Sequence, residues 1–408
     1  MTERRPRWLV ILLILVGVAM AVVLMMQGVG RWAYARGIGG LLEISGSQDA
    51  DVYSKNGQRY FEQHQYKVAE EFARAALNRA PLHQKAMRTL GMAQVAQGRE
   101  EQGRRTMEAA GRLGWQDVAT QTWLMWDSLQ RGNTQAGLLR ADALARRGTM
   151  ASGLFKVFIT FASAPESRRM LMQRLQIASG WRPDFFRFSD AATLPEAQTA
   201  EGLLRDLRKG PWPPAREEVV PIVRRLVVLG AYDRAANLSR DMLGEPRTNA
   251  SNPVGDGDFK RFDVYAERPL YRTPFDWEFG VHPGATAVVE RPDSPEDGAL
   301  YVESNGAKTV MLARKVVRIA PGARQLAFTI RSSDAGAIER FRWSVTCLET
   351  GQQLIQGAML APATNVASQR GLAFTVPADC RFQQLQLSSA EAPQRQTLSA
   401  YLDNVAIS

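Results

Sequence analysis

The sequence predicts a multidomain chain: an N-terminal transmembrane helix, an α-helical repeat solenoid and a C-terminal all-β sandwich. Three observations carry this reading. Trp8 to Met26 is an uncharged apolar run, residues from 50 onward show helix-length periodicity that repeats at a spacing of 34, and beyond about 255 short alternating segments recur between turn residues. A hydrophobic share of 45% with 23% charged residues is an ordinary globular mixture, so the length is read as several folded domains.

The apolar run comes first. At about 1.5 Å per helical residue it is long enough for the roughly 30 Å of a hydrocarbon core. Arg4, Arg5 and Arg7 precede it, and this bias retains residues 1–7 in the cytoplasm and sends the chain after Arg31 outward. The span is therefore set at 8–29, with a connecting segment at 30–49, and the expected location is a bacterial inner membrane with the remaining domains periplasmic. A cleaved signal peptide is the alternative, because Ala33-Tyr34-Ala35 has the small-x-small form of a cleavage site. An h-region usually runs only about 7 to 15 residues, which favours the uncleaved anchor.

Residues 50–250 form the helical region. Gly57 aligns with Gly91, Tyr60 with Gln94, Ala69 with Gly103, Ala76 with Ala110, and Gly98 with Gly132. Small residues at these places let two antiparallel helices cross closely, which is a packing signature without catalytic content. Tyr53-x-x-x-Gly57-x-x-Tyr60, followed by Ala69, Ala73, Ala76 and Pro81, resembles the tetratricopeptide repeat, a fold of stacked helical hairpins. Later copies, 84–115 and 118–151, keep fewer markers, with Met125 where the family prefers Gly. A further unit is expected at 219–243.

An irregular insertion separates these units near 152–215. Pro183 and the cluster Pro211, Pro213 and Pro214 stop helices, which restart at Ala215 with Glu217 and Glu218 favouring a new N-terminus. Trp181, Phe185, Phe186, Phe188 and Trp212 are either protein-contact aromatics or core where irregular helices meet. The helical resemblance implies protein partners, since stacked hairpins build extended binding surfaces.

A polar linker is expected at 251–262 and a β-sandwich at 263–408. The alternating segments 286–290, 299–303, 325–331, 342–347, 372–376 and 382–387 are too short and numerous for a βαβ arrangement. Cys347 and Cys380 are each read as lying in a strand segment. Export to an oxidising space makes a disulfide between them reasonable, and two buried thiols are the alternative. Gly257-Asp258-Phe259, Phe275-Asp276-Trp277, Gly298-Ala299-Leu300-Tyr301-Val302 and the closing Tyr401-Leu402-Asp403-Asn404-Val405 together resemble jelly-roll carbohydrate-binding modules. That resemblance implies a sandwich fold and, at one end, a structural calcium site. Lys260 stands where the family places an acidic residue, which leaves Asp256, Asp258 and Asp403 as weak calcium candidates. Sugar recognition needs aromatic faces, and Tyr271, Phe275, Trp277 and Trp343 are the candidates. A core role is the competing reading for each of them.

The net charge is +10. Most of the excess lies between 51 and 250, and Arg far outnumbers Lys. Outside the cytoplasm such a surface could meet anionic headgroups or acidic polysaccharide, and nucleic acid is not an expected partner. His64, His83 and His282 stand apart from one another, and no His-Glu-x-x-His, Gly-x-Ser-x-Gly, phosphate-loop or dinucleotide motif occurs. No catalytic residue and no cofactor is expected, with calcium the one metal weighed.

The combined arrangement resembles tetratricopeptide-repeat accessory proteins of bacterial exopolysaccharide production. It implies a non-catalytic envelope scaffold or adaptor that binds protein through its helices and polysaccharide through its β-domain. A membrane-tethered glycan-processing enzyme, using carboxylates such as Asp276, Glu278, Glu290 or Glu303, is one alternative. A scaffold binding protein alone is another.

Overall fold

The computed structural model describes residues 49–148, 152–177, 180–244, 252–259, 271–291, 298–332, 334, 340–358, 367–392 and 395–408, with isolated positions 18, 20, 22 and 25. The expected tail, the span 8–29 and the segment to 48 lie outside the described residues apart from those four. Among the described residues no helix is long and apolar enough to cross a membrane. The chain divides into two compact units at Arg147/Gly148.

Among its described residues the first unit holds three helical hairpins: α1 (Ala50–Glu62) with α2 (Tyr66–Arg79), α3 (Gln84–Ala96) with α4 (Glu100–Arg112), and α5 (Val118–Gln130) with α6 (Thr134–Arg146). Asp49, His83, Asp117 and Asn133 cap four of these helices by accepting backbone N–H bonds. The 34-residue alignment has a direct physical basis. A Cβ added to Gly103 would sit 2.6 Å from the Gly91 carbonyl oxygen, and one added to Gly57 would sit 3.2 Å from that of Ala69. These helix pairs cross at the aligned small residues. In the third hairpin Met125 takes the glycine position, and Gly137 stands across from it, 3.6 Å from the Met125 carbonyl if it carried a Cβ.

The second unit begins with α7 (Ser152–Ser163), α8 (Pro165–Leu175), α9 (Arg182–Arg187), α10 (Leu194–Leu207), α11 (Arg216–Val228) and α12 (Tyr232–Leu243). Pro183 sits in the first turn of α9, where its missing N–H costs nothing. Thr193 and Glu196 cap α10 reciprocally, with the Thr193 N–H 2.7 Å from the Glu196 carboxylate. A buried ion pair ties the irregular part to α11. Arg182 Nε and Nη2 reach the two oxygens of Glu218 at 2.6 and 3.0 Å, and Nη1 donates to the carbonyls of Leu175 and Trp212. Both side chains are buried.

Among the described residues eleven strands follow, forming two antiparallel sheets. They are β1 (Glu278–Phe279), β2 (Val281–His282), β3 (Ala285–Glu290), β4 (Ala299–Ser304), β5 (Val310–Val317), β6 (Gly322–Arg331), β7 (Phe341–Cys347), β8 (Gln353–Ala358), β9 (Ser368–Val376), β10 (Gln383–Ser389) and β11 (Leu398–Ile407). One sheet runs β1-β5-β10-β7-β8 and the other β2-β3-β4-β11-β6-β9. Alternating inner residues, including Leu300, Val302, Phe328, Ile330, Trp343, Val345, Leu385, Leu387, Ala400 and Leu402, fill the space between them.

Residues 252–259, read from sequence as linker, belong to this core. Val254 and Phe259 are fully buried, and the Val405 N–H donates to the Gly257 carbonyl at 2.9 Å. A Cβ at Gly257 would meet that strand at 1.8 Å, so only glycine permits the approach. The sandwich is also fastened to the helices before it. Arg216 pairs with Asp276 at 2.7 Å, the Tyr232 hydroxyl donates to the Leu348 carbonyl at 3.0 Å, and Arg381 pairs with Asp233 at 2.6 Å. Expected boundaries at 250 and 263 therefore fall inside one packed unit.

Candidate functional site

The sugar-contact candidates do not form an exposed platform. Trp277 and Trp343 are in the sandwich core, with ring centroids 6.2 Å apart, and the Trp277 indole N–H donates to the Asp256 carbonyl. Phe275 is buried, packing against Phe382. Tyr271 is half-buried and its hydroxyl donates to Glu217 of α11. A ring by itself marks a residue as a sugar contact only in the sequence, and burial of a large apolar side chain is the stronger force wherever an interior position is available. The protein-contact aromatics follow the same rule. Trp181 stacks on Phe158, Phe185 meets both edge-on and Phe186 packs on Phe185, all buried; Phe188 is half-buried, and of these aromatics only Trp212, 55% exposed, presents itself to solvent.

Cys347 and Cys380 are joined in a disulfide with Cα atoms 5.7 Å apart. With Glu349 they are the grouping of potential ligands found among the described residues, but the bond removes both thiolates, so it is no metal centre. Asp256, Asp258 and Asp403 are all half-buried, at the ends of segments that the Gly257–Val405 bond brings side by side. Their carboxylates do not gather into a three-ligand group. Asp403 instead accepts from the backbone and side-chain nitrogens of Asn404, at 2.6 and 3.0 Å.

A different pair of aromatics does sit on a sheet surface. Leu300, Val302, Ala400 and Leu402 point inward, so Tyr301 of β4 and Tyr401 of β11 are on the outer face of the six-stranded sheet. They are directly opposite in register, and their ring centroids are 5.1 Å apart at 51°. Val288 of β3 and Arg331 of β6 complete the row across four strands, with the Arg331 guanidinium 5.2 Å from the Tyr401 ring centre. Each hydroxyl is held by a carboxylate: Tyr301 donates to Glu303 at 2.7 Å and Tyr401 to Glu290 at 2.9 Å. Burial, followed by the bond to Glu303, pushes the Tyr301 phenol up to about 12, so it stays a donor across the physiological range.

This face can supply what a pyranose requires. Two tilted rings and the Val288 side chain give an apolar surface for C–H groups, the carboxylates retain lone pairs for sugar hydroxyls, and Arg331 supplies donors. In the sequence Tyr301 and Tyr401 stand out only as part of the sandwich motifs, not as sugar contacts. Alternation was the signal that could have found them, since both fall between two buried neighbours on their strands. The carboxylates named for an enzyme alternative are apart in the same way: Glu290 and Glu303 hold this patch, whereas Asp276 and Glu278 pair with Arg216 and Arg314.

No protein-family model and no curated protein matches the chain. Among solved structures it is similar to a CBM4 module (13% identity, 38% of this chain and 98% of that one, TM-score 0.27). It is also similar to TmCBM61 in complex with β-1,4-galactotriose (8%, 38% and 97%, TM-score 0.26) and to the N-terminal cellulose-binding domain of a Cellulomonas fimi β-1,4-glucanase C (15%, 36% and 92%, TM-score 0.22). Identities and TM-scores this low leave the function of the sheets to be read from their own residues.

Proposed function

We propose that this protein is a non-catalytic scaffold of the bacterial envelope, anchored by residues 8–29 with its folded units in the periplasm. Its β-domain binds polysaccharide and its tetratricopeptide-like hairpins bind protein. The observation that carries the sugar-binding half is the Tyr301–Tyr401 pair, set between Glu290, Glu303 and Arg331 on the outer face of a sheet. Aromatic rings left half-exposed on a strand, when the adjacent interior is filled with Leu and Val, have a use at the surface. The protein-binding half is supported by a groove of about 560 Å³ on the first unit, lined by Leu77, Met87, Leu90 and Ala109 together with Glu101 and Arg105.

The test is affinity electrophoresis of the full chain in detergent, through gels containing a panel of neutral and acidic polysaccharides. At least one should retard the wild type and retard Tyr301→Ala/Tyr401→Ala several-fold less. Equal mobility in every gel would remove the sugar-binding half of the proposal.

A further inference from the structure

The tyrosine face is acidic as well as aromatic. Along β3 the outward residues are Thr286, Val288 and Glu290; Val288 is opposite Tyr301, and Thr286 is opposite Glu303. Glu303 and Glu290 therefore flank the tyrosine row from opposite sides, and each accepts from the hydroxyl of one ring. A third carboxylate joins them. Ser399 of β11 points outward between buried Leu398 and Ala400, directly opposite Glu303. One oxygen of Asp334 accepts from the Ser399 N–H at 3.0 Å and is 3.4 Å from its hydroxyl.

Among the described residues none of these three carboxylates is in an ion pair with a lysine or arginine. Arg331, the cation of the row, is over the Tyr401 ring on the β6 side. A carboxylate offers about four lone-pair sites, and the tyrosine hydroxyl takes one on Glu303 and one on Glu290. Sugar hydroxyls would fill the remainder with neutral bonds. A protonated amine fills them with charge-assisted bonds, roughly twice as strong, and brings three donors from one nitrogen. The ring faces attract the same cation. A sugar acid would instead set a like charge beside Glu290 and Glu303, and such a juxtaposition selects against a partner. General attraction does not account for an amine preference either, because a chain of net charge +10 repels a cationic polymer outside a local acidic site.

We propose that the glycan held by the tyrosine face is a hexosamine polymer with free amino groups. Its C–H faces are against Tyr301 and Tyr401, and its ammonium groups bond Glu303 and Glu290. This class of sugar rests on the sugar-binding role proposed above for the same face.

The experiment is calorimetric titration of the full chain in detergent with β-1,4-linked glucosamine tetraose, at a pH where its amines are protonated. The N-acetylated tetraose and cellotetraose are comparators that keep the backbone and change only the group at C2. The amine form should bind at least tenfold tighter than either. Glu290→Gln/Glu303→Gln, at an unaltered melting profile, should bring the amine form down to the affinity of the N-acetylated one. Three outcomes would each overturn the assignment: no saturation by the amine form, equal affinity for the N-acetylated form, or a preference that persists in Glu290→Gln/Glu303→Gln. The gel panel reads the sugar-binding role by itself. A wild type retarded there but without amine preference here loses only the class of sugar, whereas equal mobility in every gel removes both.

Discussion

Lys315 shows how a single residue records competing demands. It lies in a strand between Arg314, which reaches solvent, and Val316, and burial pushes its amine down to about 8 from 10.5. Between those two values the unfolded chain holds a proton that the folded chain has released, so stability rises with pH across that window, and the penalty is fully present below about 8. Lys315→Met should therefore stabilise the protein by about 1–3 kcal/mol at pH 7 and flatten that pH dependence; denaturant melts at pH 7 and pH 10 measure both. At this scale the sequence was only partly legible. Trp277, Trp343 and the Trp181 cluster advertise themselves by size, and size alone does not say whether a ring is inside or outside. Tyr301 and Tyr401 were legible in principle, because their neighbours alternate, but the two charged partners of Tyr401, Glu290 of β3 and Arg331 of β6, are far away in sequence.

Among the elements, the repeat hairpins were the most readable part of the fold. Their period is written in small residues that must face one another, and Gly103 is the tightest of these. Gly103→Ala should destabilise the first unit by about 1–3 kcal/mol, since the added methyl meets the Gly91 carbonyl and Val95. Gly153→Ala, where nothing is within 4 Å of the added atom, should change stability by no more than about 0.5 kcal/mol. The insertion was legible only as a place where helices break. Its order comes from Arg182 and Glu218, two charged residues that a pattern-based reading assigns to solvent. Arg182→Ala strands a buried carboxylate and should cost about 3–5 kcal/mol in urea unfolding. Strand β5 escaped the alternation search for a related reason: Leu312, Ala313, Lys315, Val316 and Val317 are all buried, because α11 covers the face that would otherwise be solvated.

Within the second unit, helices and sandwich depend on the same few contacts. Cys347 and Cys380 immediately precede Leu348 and Arg381, which hold Tyr232 and Asp233 of α12. Replacing both cysteines by serine opens a loop with a sequence separation of 33 and should cost about 3–4 kcal/mol on the chain-entropy account. Faster amide exchange in α12 should accompany that loss. Residues 252–259 reveal why the expected linker was misread: Gly, Asp and Asn signal turns, and a turn packed into a core has the same composition as one in solvent. Polysaccharide binding rests most heavily on the tyrosine face, and calorimetric titration of the full chain with the polysaccharide that most retards it tests that face most directly. Wild type should release or absorb heat to saturation, with at least tenfold weaker binding by Tyr301→Ala/Tyr401→Ala at unchanged melting temperature. Equal affinity of the two proteins would contradict it.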